Sequence, residues 1–295
     1  MSENVVIVGP GRMGLALGAA LVQARAVERL IFYGRGMEPP PHPIFEPAPL
    51  TAEYRIGPHP VPPGITILLL AVPDSALPEV AYDLSHAGPP PPGCAAFHMS
   101  GALSTEVLAP LHAIGYAVGS LHPLQAVADP WLSGDRFMGT AFAIAGEPAA
   151  IAAARRLVDL LAGRPLLIAP SRRPVYHAAA VVASNYFVAL VAFAVRLMEE
   201  AGVSESEAVP ALLPLIRGTL DNLEQLGVPA SLTGPIPRGD IDTVRLHLAR
   251  LSEEDRVLYC ALGSELLRLS RRAGLDERRA DDMDALLATF GHVTT

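Results

Sequence analysis

Short, strongly apolar runs alternate with amphipathic stretches through the first 170 residues of the chain. Runs of this length and composition are typical of buried strands, and the segments between several of them have a helical period. Strands are predicted at 4–8, 30–33, 65–72, 94–98, 116–121, 139–146 and 165–169, and helices at 15–25, from 75 and at 151–161. This alternation predicts an α/β fold with a Rossmann-like, doubly wound and mostly parallel sheet.

From about residue 171 the pattern changes to helices only, so we predict a nucleotide-binding domain at 1–170 and an all-helical domain at 171–295. The stretch 177–200 is apolar on nearly every face, which fits a helix that is central to a domain, shared at a dimer interface or spanning a membrane. Its Ser184 and Asn185 disfavour the membrane interpretation. The loop 233–240 is predicted to lack regular structure.

A glycine motif lies between the first predicted strand and the first helix. In G-x-G-x-x-G, the first glycine permits a tight turn, the second lets the backbone approach a pyrophosphate, and the third lets the helix pack on the strand. The N–H groups of the helix N-terminus then face the phosphates. We therefore predict dinucleotide binding, with a glycine-rich turn that has no ligand as the alternative. The residues concerned are Gly9, Gly11, Arg12, Met13 and Gly14.

The end of the second predicted strand indicates which dinucleotide the protein binds. NAD-specific enzymes place an acidic residue about 20 positions after the motif, where it binds the ribose 2′-hydroxyl. Here Gly34 holds that position and Arg35 follows it. A guanidinium binds a phosphate bidentately, so the sequence favours NADP over NAD. A solvated arginine at a strand end is the alternative.

Other notable residues also follow predicted strands. Ala71, Val72 and Pro73 end the third strand, and Ser100 and His122 follow the next two. In an open parallel sheet, ligands bind at the edge formed by the carboxyl ends of the strands. We therefore expect these residues to line one cofactor and substrate cleft.

The chain has 22 basic residues and all of them are arginine, because the sequence contains no lysine. This excludes Schiff-base chemistry and any mechanism in which a lysine ammonium supplies the proton. His122 is the candidate proton donor, since the ordinary histidine pKa of about 6.5 suits proton exchange near neutrality. A histidine that only stabilises a turn is the alternative.

A polar strip is predicted on the long apolar helix. Ser184 lies seven residues after His177, about two helical turns on, and Asn185 is next to it. Buried polar groups need partners, and a substrate or a nicotinamide amide would provide them. The polar side chains of the strip could equally form hydrogen bonds with one another or contact a neighbouring subunit. Ser100 is interpreted in two ways, as a residue that binds substrate or cofactor, or as a helix cap.

Composition excludes several function classes. The net charge of −8 argues against a nucleic-acid or anionic-membrane partner. Histidine and acidic residues lack metal-ligand spacing, so no metal site is expected. Cys94 and Cys260 lie in apolar runs, and no targeting segment precedes the first strand, so we expect a reduced, cytoplasmic setting.

At its motifs the chain resembles a bacterial family of NADP oxidoreductases that join a Rossmann-like domain to a helical C-terminal domain of unknown function. The resemblance covers essentially the whole chain. It is carried by the segments 9–14, 71–74, 98–101, 122–125, 177–185 and 233–240. More distantly, the chain is similar to prephenate dehydrogenase and to pyrroline-5-carboxylate reductase. Asn185 stands where prephenate dehydrogenase has a second histidine, which speaks against prephenate as the substrate.

The resemblance implies an NADP(H)-dependent oxidoreductase that transfers hydride to or from a small carbonyl or imine in a cleft between two domains. It also implies a helical domain similar to that of 6-phosphogluconate dehydrogenase and a homodimer formed through that domain. His122, His177, Ser100, Ser184 and Asn185 would then form the catalytic site. A non-catalytic NADP(H)-binding sensor would use the glycine motif and Arg35 without needing the histidines. That hypothesis remains the alternative.

Overall fold

The computed structural model describes residues 2–48, 50–132 and 134–291. The chain forms two compact units, Met1–Leu190 and Val191–Thr295. Strands end at Leu167 and only helices follow, which agrees with the predicted change of pattern. The predicted domain boundary at 170/171 stays a prediction.

The first unit contains an eight-stranded sheet with the order β3-β2-β1-β4-β5-β6-β7-β8. All neighbouring strands are parallel except β6 and β7, which are antiparallel. The predicted doubly wound, mostly parallel sheet is therefore confirmed. The strands are β1 (Glu3–Val8), β2 (Val27–Gly34), β3 (Glu53–Ile56), β4 (Ile67–Leu70), β5 (Ala95–His98), β6 (Ala117–Pro123), β7 (Ala141–Gly146) and β8 (Arg164–Leu167).

Helices cover both faces of this sheet because the strand residues are apolar on both faces. Side chains of α1 and α4 pack on one face in a single buried cluster with Ile7, Phe32 and Phe97. Side chains of α2 and α3 pack on the other face with Val6 and Leu68. These helices are α1 (Arg12–Gln23), α2 (Leu77–Ala87), α3 (Ala109–Ala113) and α4 (Pro148–Leu160).

Two local predictions for this unit are wrong. Strand β3 was not predicted, because its residues EYRI alternate in polarity at an exposed sheet edge and include Glu53, which pairs with Arg29 at 2.8 Å. Helix α1 begins at Arg12, three residues before the predicted start, so Gly14 lies inside the helix and packs there. Short 3₁₀ turns complete the unit at Pro43–Phe45, Asp74–Ala76, Thr105–Leu108, Pro130–Leu132, Gly134–Phe137 and Pro170–Arg172.

The long apolar stretch is not one regular helix from 177 to 200, as predicted. It consists of α5 (Arg173–Val181), a π-helical turn (Val182–Tyr186) and α6 (Phe187–Glu200). Within the described residues, Pro170–Glu200 is the one helical stretch long and apolar enough to cross a membrane, with a hydropathy of 2.1 and 11% of its most apolar window buried. Length and composition alone are weak evidence for a membrane span. The homodimer predicted to form through the helical domain stays a prediction.

The second unit has a small core between its last helices, formed by Val244, Leu248, Leu267 and Met283 among others. Asp240, Ser252 and Asp276 each cap the helix that follows by accepting a backbone hydrogen bond. The prediction that 233–240 lacks regular structure is wrong, because it contains a single helical turn. The helices are α7 (Glu205–Leu226), α8 (Pro235–Arg238), α9 (Ile241–Arg250), α10 (Glu253–Arg272) and α11 (Glu277–Phe290).

Candidate functional site

A groove of about 530 Å³ opens at the carboxyl ends of β1, β2 and β4. Parallel strands bring these three ends to the same edge of the sheet, so the segments that follow them meet there. The groove is lined by residues 8–11, 33–36, 57–58 and 71–73 and by residues of α2. The predicted cofactor residues Gly9, Gly11, Arg35 and Ala71–Pro73 thus lie together along one groove.

The three glycines of the loop have different reasons for lacking a side chain. Gly9 has a φ of +100°, and a β-carbon there would lie 2.7 Å from the carbonyl oxygen of Ala71. A β-carbon on Gly14 would overlap the carbonyl oxygen of Gly9. A β-carbon on Gly11 would meet nothing within 4 Å. The fold itself requires Gly9 and Gly14, whereas Gly11 leaves open space in the groove, as expected where a ligand approaches the backbone.

The N-terminus of α1 is available to an anion. Gly11 is its N-cap residue and has no side chain to accept a hydrogen bond from the first turn, and that turn contains no acidic residue. The first N–H groups of a helix have no partner within the helix and carry partial positive charge. Arg12, Met13 and Gly14, which were predicted to lie in the loop before the helix, form this first turn.

The corner after β2 carries Arg35, whose side chain is exposed and lines the groove. The Tyr54 hydroxyl packs under Gly34 and donates a 2.8 Å hydrogen bond to the carbonyl oxygen of Gly36, which fixes the turn. Among the described residues, Arg35 has no recorded ion pair or hydrogen bond. Glu79 and Asp83 line the groove from a different element, α2.

A polar cluster lies beyond the groove, where β4, β5 and β6 end and α5 begins. Its first link joins Asp74, next to the groove residue Pro73, to Ser100. The Ser100 hydroxyl donates to Asp74 Oδ2 at 2.7 Å and accepts from the N–H groups of Ala102 and Leu103 at 3.2 and 3.1 Å. With one donor and two acceptor positions in use, this hydroxyl stabilises a turn. A direct catalytic role for Ser100 stays a prediction.

Arg173 fastens α5 to that same turn. Its guanidinium is fully buried, and it donates to the carbonyl oxygen of Leu103 at 2.7 Å and to that of Ser100. A buried cation that bonds two carbonyl oxygens holds the two segments in a defined position. Tyr176 and His177 follow three and four residues later, so they project from the same face of the helix.

His122, at the end of β6, contacts both of these α5 residues. Its Nδ1 lies 2.8 Å from the Tyr176 hydroxyl, and its ring meets that of His177 edge to face, with the centroids 5.7 Å apart. Both histidines pack against Gly101, where a β-carbon would lie 2.9 Å from His122 Nε2 and still closer to His177 Nδ1. Only a residue without a side chain permits this arrangement.

Burial sets the protonation states of the cluster. It lowers the pKa of His122 to about 4, and the neighbouring His177 and Arg173 act in the same direction. Burial also lowers the pKa of His98 to about 4, and raises that of Tyr176 to about 12. At neutral pH these two histidines are therefore uncharged and the phenol is protonated. The expectation of an ordinary pKa for His122 is wrong because its site is desolvated.

Acidification will destabilise the protein in part through His98, which is fully buried. Its pKa is about 4 in the folded chain, against the ordinary histidine value of 6.5, so the unfolded chain binds the proton first. The contribution of His98 to the free energy of unfolding is therefore fully present above pH 6.5. It is lost as the pH falls towards 4, by on the order of 3 kcal/mol. Urea unfolding across this range will show a shallower decrease for His98→Leu.

Exposed His59 supplies the control for this measurement. His59→Gln also removes one histidine, but from an exposed position, and is measured in parallel. If His98→Leu and wild type gave parallel curves, the assigned shift of the His98 pKa would be wrong.

Ser184 and Asn185 lie on the π-helical turn, in the segment that follows α5. Asn185 is exposed and Ser184 is half-buried. The structure records no side-chain hydrogen bond from either residue to His122 or His177 within the part of the chain it describes. π-Helical turns are frequent at functional sites, and the assignment of both residues to the substrate side stays a prediction.

Sequence reasoning missed Arg173 and Tyr176 as members of the cluster. The signal that could have found them is the i, i+3, i+4 spacing of Arg173, Tyr176 and His177 on one helix. Within the described residues, no group of three or more histidine, cysteine or acidic side chains could hold a metal ion.

Two domain models match the chain. Residues 47–123 match a Rossmann-like domain, and residues 140–266 match a domain of unknown function, DUF2520. The glycine loop precedes the first match, and the last strands of the sheet fall within the second. A search of curated protein sequences found no significant match.

Solved structures share the fold over nearly the whole chain. Protein TM1727 from Thermotoga maritima is 22% identical, with a TM-score of 0.67, covering 91% of this chain and 99% of that one. BF3122 from Bacteroides fragilis, a candidate NADP oxidoreductase, is 20% identical, with a TM-score of 0.64 and coverage of 92% and 97%. Pyrroline carboxylate reductase of Plasmodium falciparum, solved with NADP bound, is 13% identical, with a TM-score of 0.61 and coverage of 98% of both chains. The sequence thus matches a Rossmann-like model and a DUF2520 model over separate segments, and the solved structures share its fold.

Proposed function

We propose that the protein is an NADP(H)-dependent oxidoreductase that transfers hydride between the nicotinamide and a small carbonyl or imine. The observation that carries this proposal is the open space at Gly11, at the uncapped N-terminus of α1 and in the same groove as Arg35. The fold does not need a glycine at position 11, whereas a pyrophosphate that contacts the backbone does.

The groove residues fit the parts of NADP(H) in order along the sheet edge. The first turn of α1 would hold the pyrophosphate, and Arg35 would hold the 2′-phosphate. Residues 71–73 would line the nicotinamide half. Because Asp74 bonds Ser100, this end of the groove is joined directly to the cluster that contains His122.

When bound, the nicotinamide would supply or accept the hydride. His122 would bind the substrate heteroatom through an imidazole N–H, and its lowered pKa means that it does so as a neutral group. The largely buried surroundings strengthen such a hydrogen bond. His177, Ser184 and Asn185 would line the substrate side.

The names of the structural neighbours support the same class of reaction. A candidate NADP oxidoreductase and an NADP-bound pyrroline carboxylate reductase share the fold. Imine reductase of Streptomyces aurantiacus also shares it, with a TM-score of 0.57. The identities are low, so the proposal depends on the groove and the cluster of this chain.

Arg35→Ala will weaken NADPH binding about 10- to 100-fold and leave NADH binding nearly unchanged. The variant loses charge-assisted hydrogen bonds to the 2′-phosphate, which are worth roughly 1.5–3 kcal/mol in total. Fluorescence titration of both dinucleotides against wild type and variant measures this. Arg164→Ala, an exposed arginine on β8 at the far edge of the sheet, controls for the change in net charge.

These titrations test the assignment of NADP and the oxidoreductase proposal separately. Equal affinity of wild type for NADPH and NADH would remove the assignment of NADP. Failure of wild type to bind either dinucleotide would overturn the oxidoreductase proposal itself.

A further inference from the structure

We propose that Tyr176 is a positioning residue that holds His122 as its Nε2–H tautomer, so that the site offers a hydrogen-bond donor to a carbonyl oxygen of the substrate. The tautomer follows from the geometry of this chain alone. The statement about the substrate rests on the proposed function, and it narrows the proposed substrate class from a carbonyl or imine to a carbonyl.

The contact between the two side chains is direct and well oriented. The Tyr176 hydroxyl oxygen lies 2.8 Å from His122 Nδ1, and the rings meet at 88° with their centroids 5.6 Å apart. Tyr176 cannot easily move away, because the buried guanidinium of Arg173, one helical turn earlier, fastens α5 to the turn after β5. The phenol is therefore held in place on the Nδ1 side of the imidazole.

Counting protons determines which group donates. The raised pKa of Tyr176 keeps its phenol protonated, and the lowered pKa of His122 keeps the imidazole neutral with one N–H. Within the described residues, Nδ1 of His122 is the one recorded hydrogen-bond partner of the phenol. If Nδ1 carried the imidazole proton, the phenol hydrogen would lack a recorded acceptor. The phenol therefore donates to Nδ1, and the imidazole proton lies on Nε2.

Nε2 is on the side of the ring that faces Gly101 and His177. A neutral N–H there suits a carbonyl oxygen, which accepts hydrogen bonds, better than a protonated imine nitrogen, which donates them. When hydride adds to the carbonyl carbon, the C=O π electrons move to the oxygen, which takes the Nε2 proton. The imidazolate that remains, with the Tyr176 phenol still bonded to its Nδ1, then regains a proton at Nε2 from solvent.

The tautomer can be measured without knowing the substrate. Long-range ¹H–¹⁵N correlation spectra of the full chain labelled with ¹⁵N-histidine distinguish the two ring nitrogens, and His122→Gln assigns the signals. We expect a single Nε2–H form for His122 in wild type at neutral pH. Tyr176→Phe removes only the phenol oxygen that bonds Nδ1. Because nothing then holds the tautomer, we expect a mixture of both forms in this variant.

The second unit provides a matched control. His247 Nδ1 lies 2.7 Å from the Tyr259 hydroxyl, with the rings at 84°, but His247 is exposed. Tyr259→Phe should leave the His122 signals unchanged.

Two results would overturn the inference. One is an Nδ1–H form of His122 in wild type, and this observation does not depend on the folding of any variant. The other is a single Nε2–H form that persists in Tyr176→Phe, because another group would then hold the tautomer. Neither result depends on NADPH binding, so failure of this inference and failure of the proposed function are observed separately.

Discussion

Replacing Gly11 with alanine is expected to weaken NADPH binding about 100-fold while the protein remains as stable as wild type. The backbone at Gly11, with φ −84° and ψ −175°, is accessible to alanine, and the new β-carbon would meet no protein atom within 4 Å. It would occupy space that the pyrophosphate needs, displacing it from the first turn of α1. Losing two charge-assisted hydrogen bonds, at about 1.5 kcal/mol each, gives an effect of this size.

Two other glycines provide controls for this prediction. Gly14→Ala should destabilise the fold itself, because its β-carbon would overlap the carbonyl oxygen of Gly9. Gly218→Ala, within α7 and with nothing within 4 Å, should change neither binding nor stability unfavourably. Thermal unfolding and dinucleotide titration of all three variants make the comparison. Wild-type NADPH affinity in Gly11→Ala would show that the groove does not bind the pyrophosphate at this loop.

Replacing His122 with phenylalanine should lower kcat for carbonyl reduction by about 10²–10⁴-fold, the usual range for loss of a proton-transferring side chain. An aromatic ring is retained, while both nitrogens, and with them the contacts to substrate and Tyr176, are lost. His122 does not line the groove, so NADPH affinity should stay unchanged. NADPH oxidation is measured with whichever compound of a carbonyl and imine panel the wild type reduces.

His247→Phe is the matched control, because it removes the histidine of the second, exposed histidine–tyrosine pair. It should reduce the substrate at the wild-type rate. A folded His122→Phe protein with wild-type kcat would contradict the role proposed for His122. Dinucleotide binding without turnover of any compound in the panel would instead favour the NADP(H)-binding sensor.

The residues of the groove could be predicted because they depend on topology. Once the strands are known to be parallel, their carboxyl ends share one edge, and whatever follows them is brought together. Gly11 and Arg35 were identified by the glycine motif and the spacing after it, and Pro73 and His122 because they follow predicted strands. The structure confirms that the first three line one groove.

The cluster around His122 could be predicted only in part, because it depends on side-chain packing. A tyrosine on an apolar helix has the pattern of a core residue, so nothing in the local sequence shows that the Tyr176 hydroxyl contacts a histidine more than 50 positions earlier. Likewise, Arg173 has the pattern of a surface residue but is fully buried. The pKa of His122 depends on the same packing, and an ordinary value was expected for that reason.

The π-helical turn at Val182–Tyr186 affects how this chain can be compared with its relatives. A π turn accommodates more residues than an α turn, because its hydrogen bonds close five positions apart instead of four. An alignment that assumes an unbroken α-helical period therefore goes out of phase within this turn, and the face assigned to every later residue of the helix rotates by about 100°. Equating Asn185 with the second histidine of prephenate dehydrogenase is valid only if both helices carry the turn at the same place. Roles at Ser184 and beyond should be transferred by spatial superposition of α5.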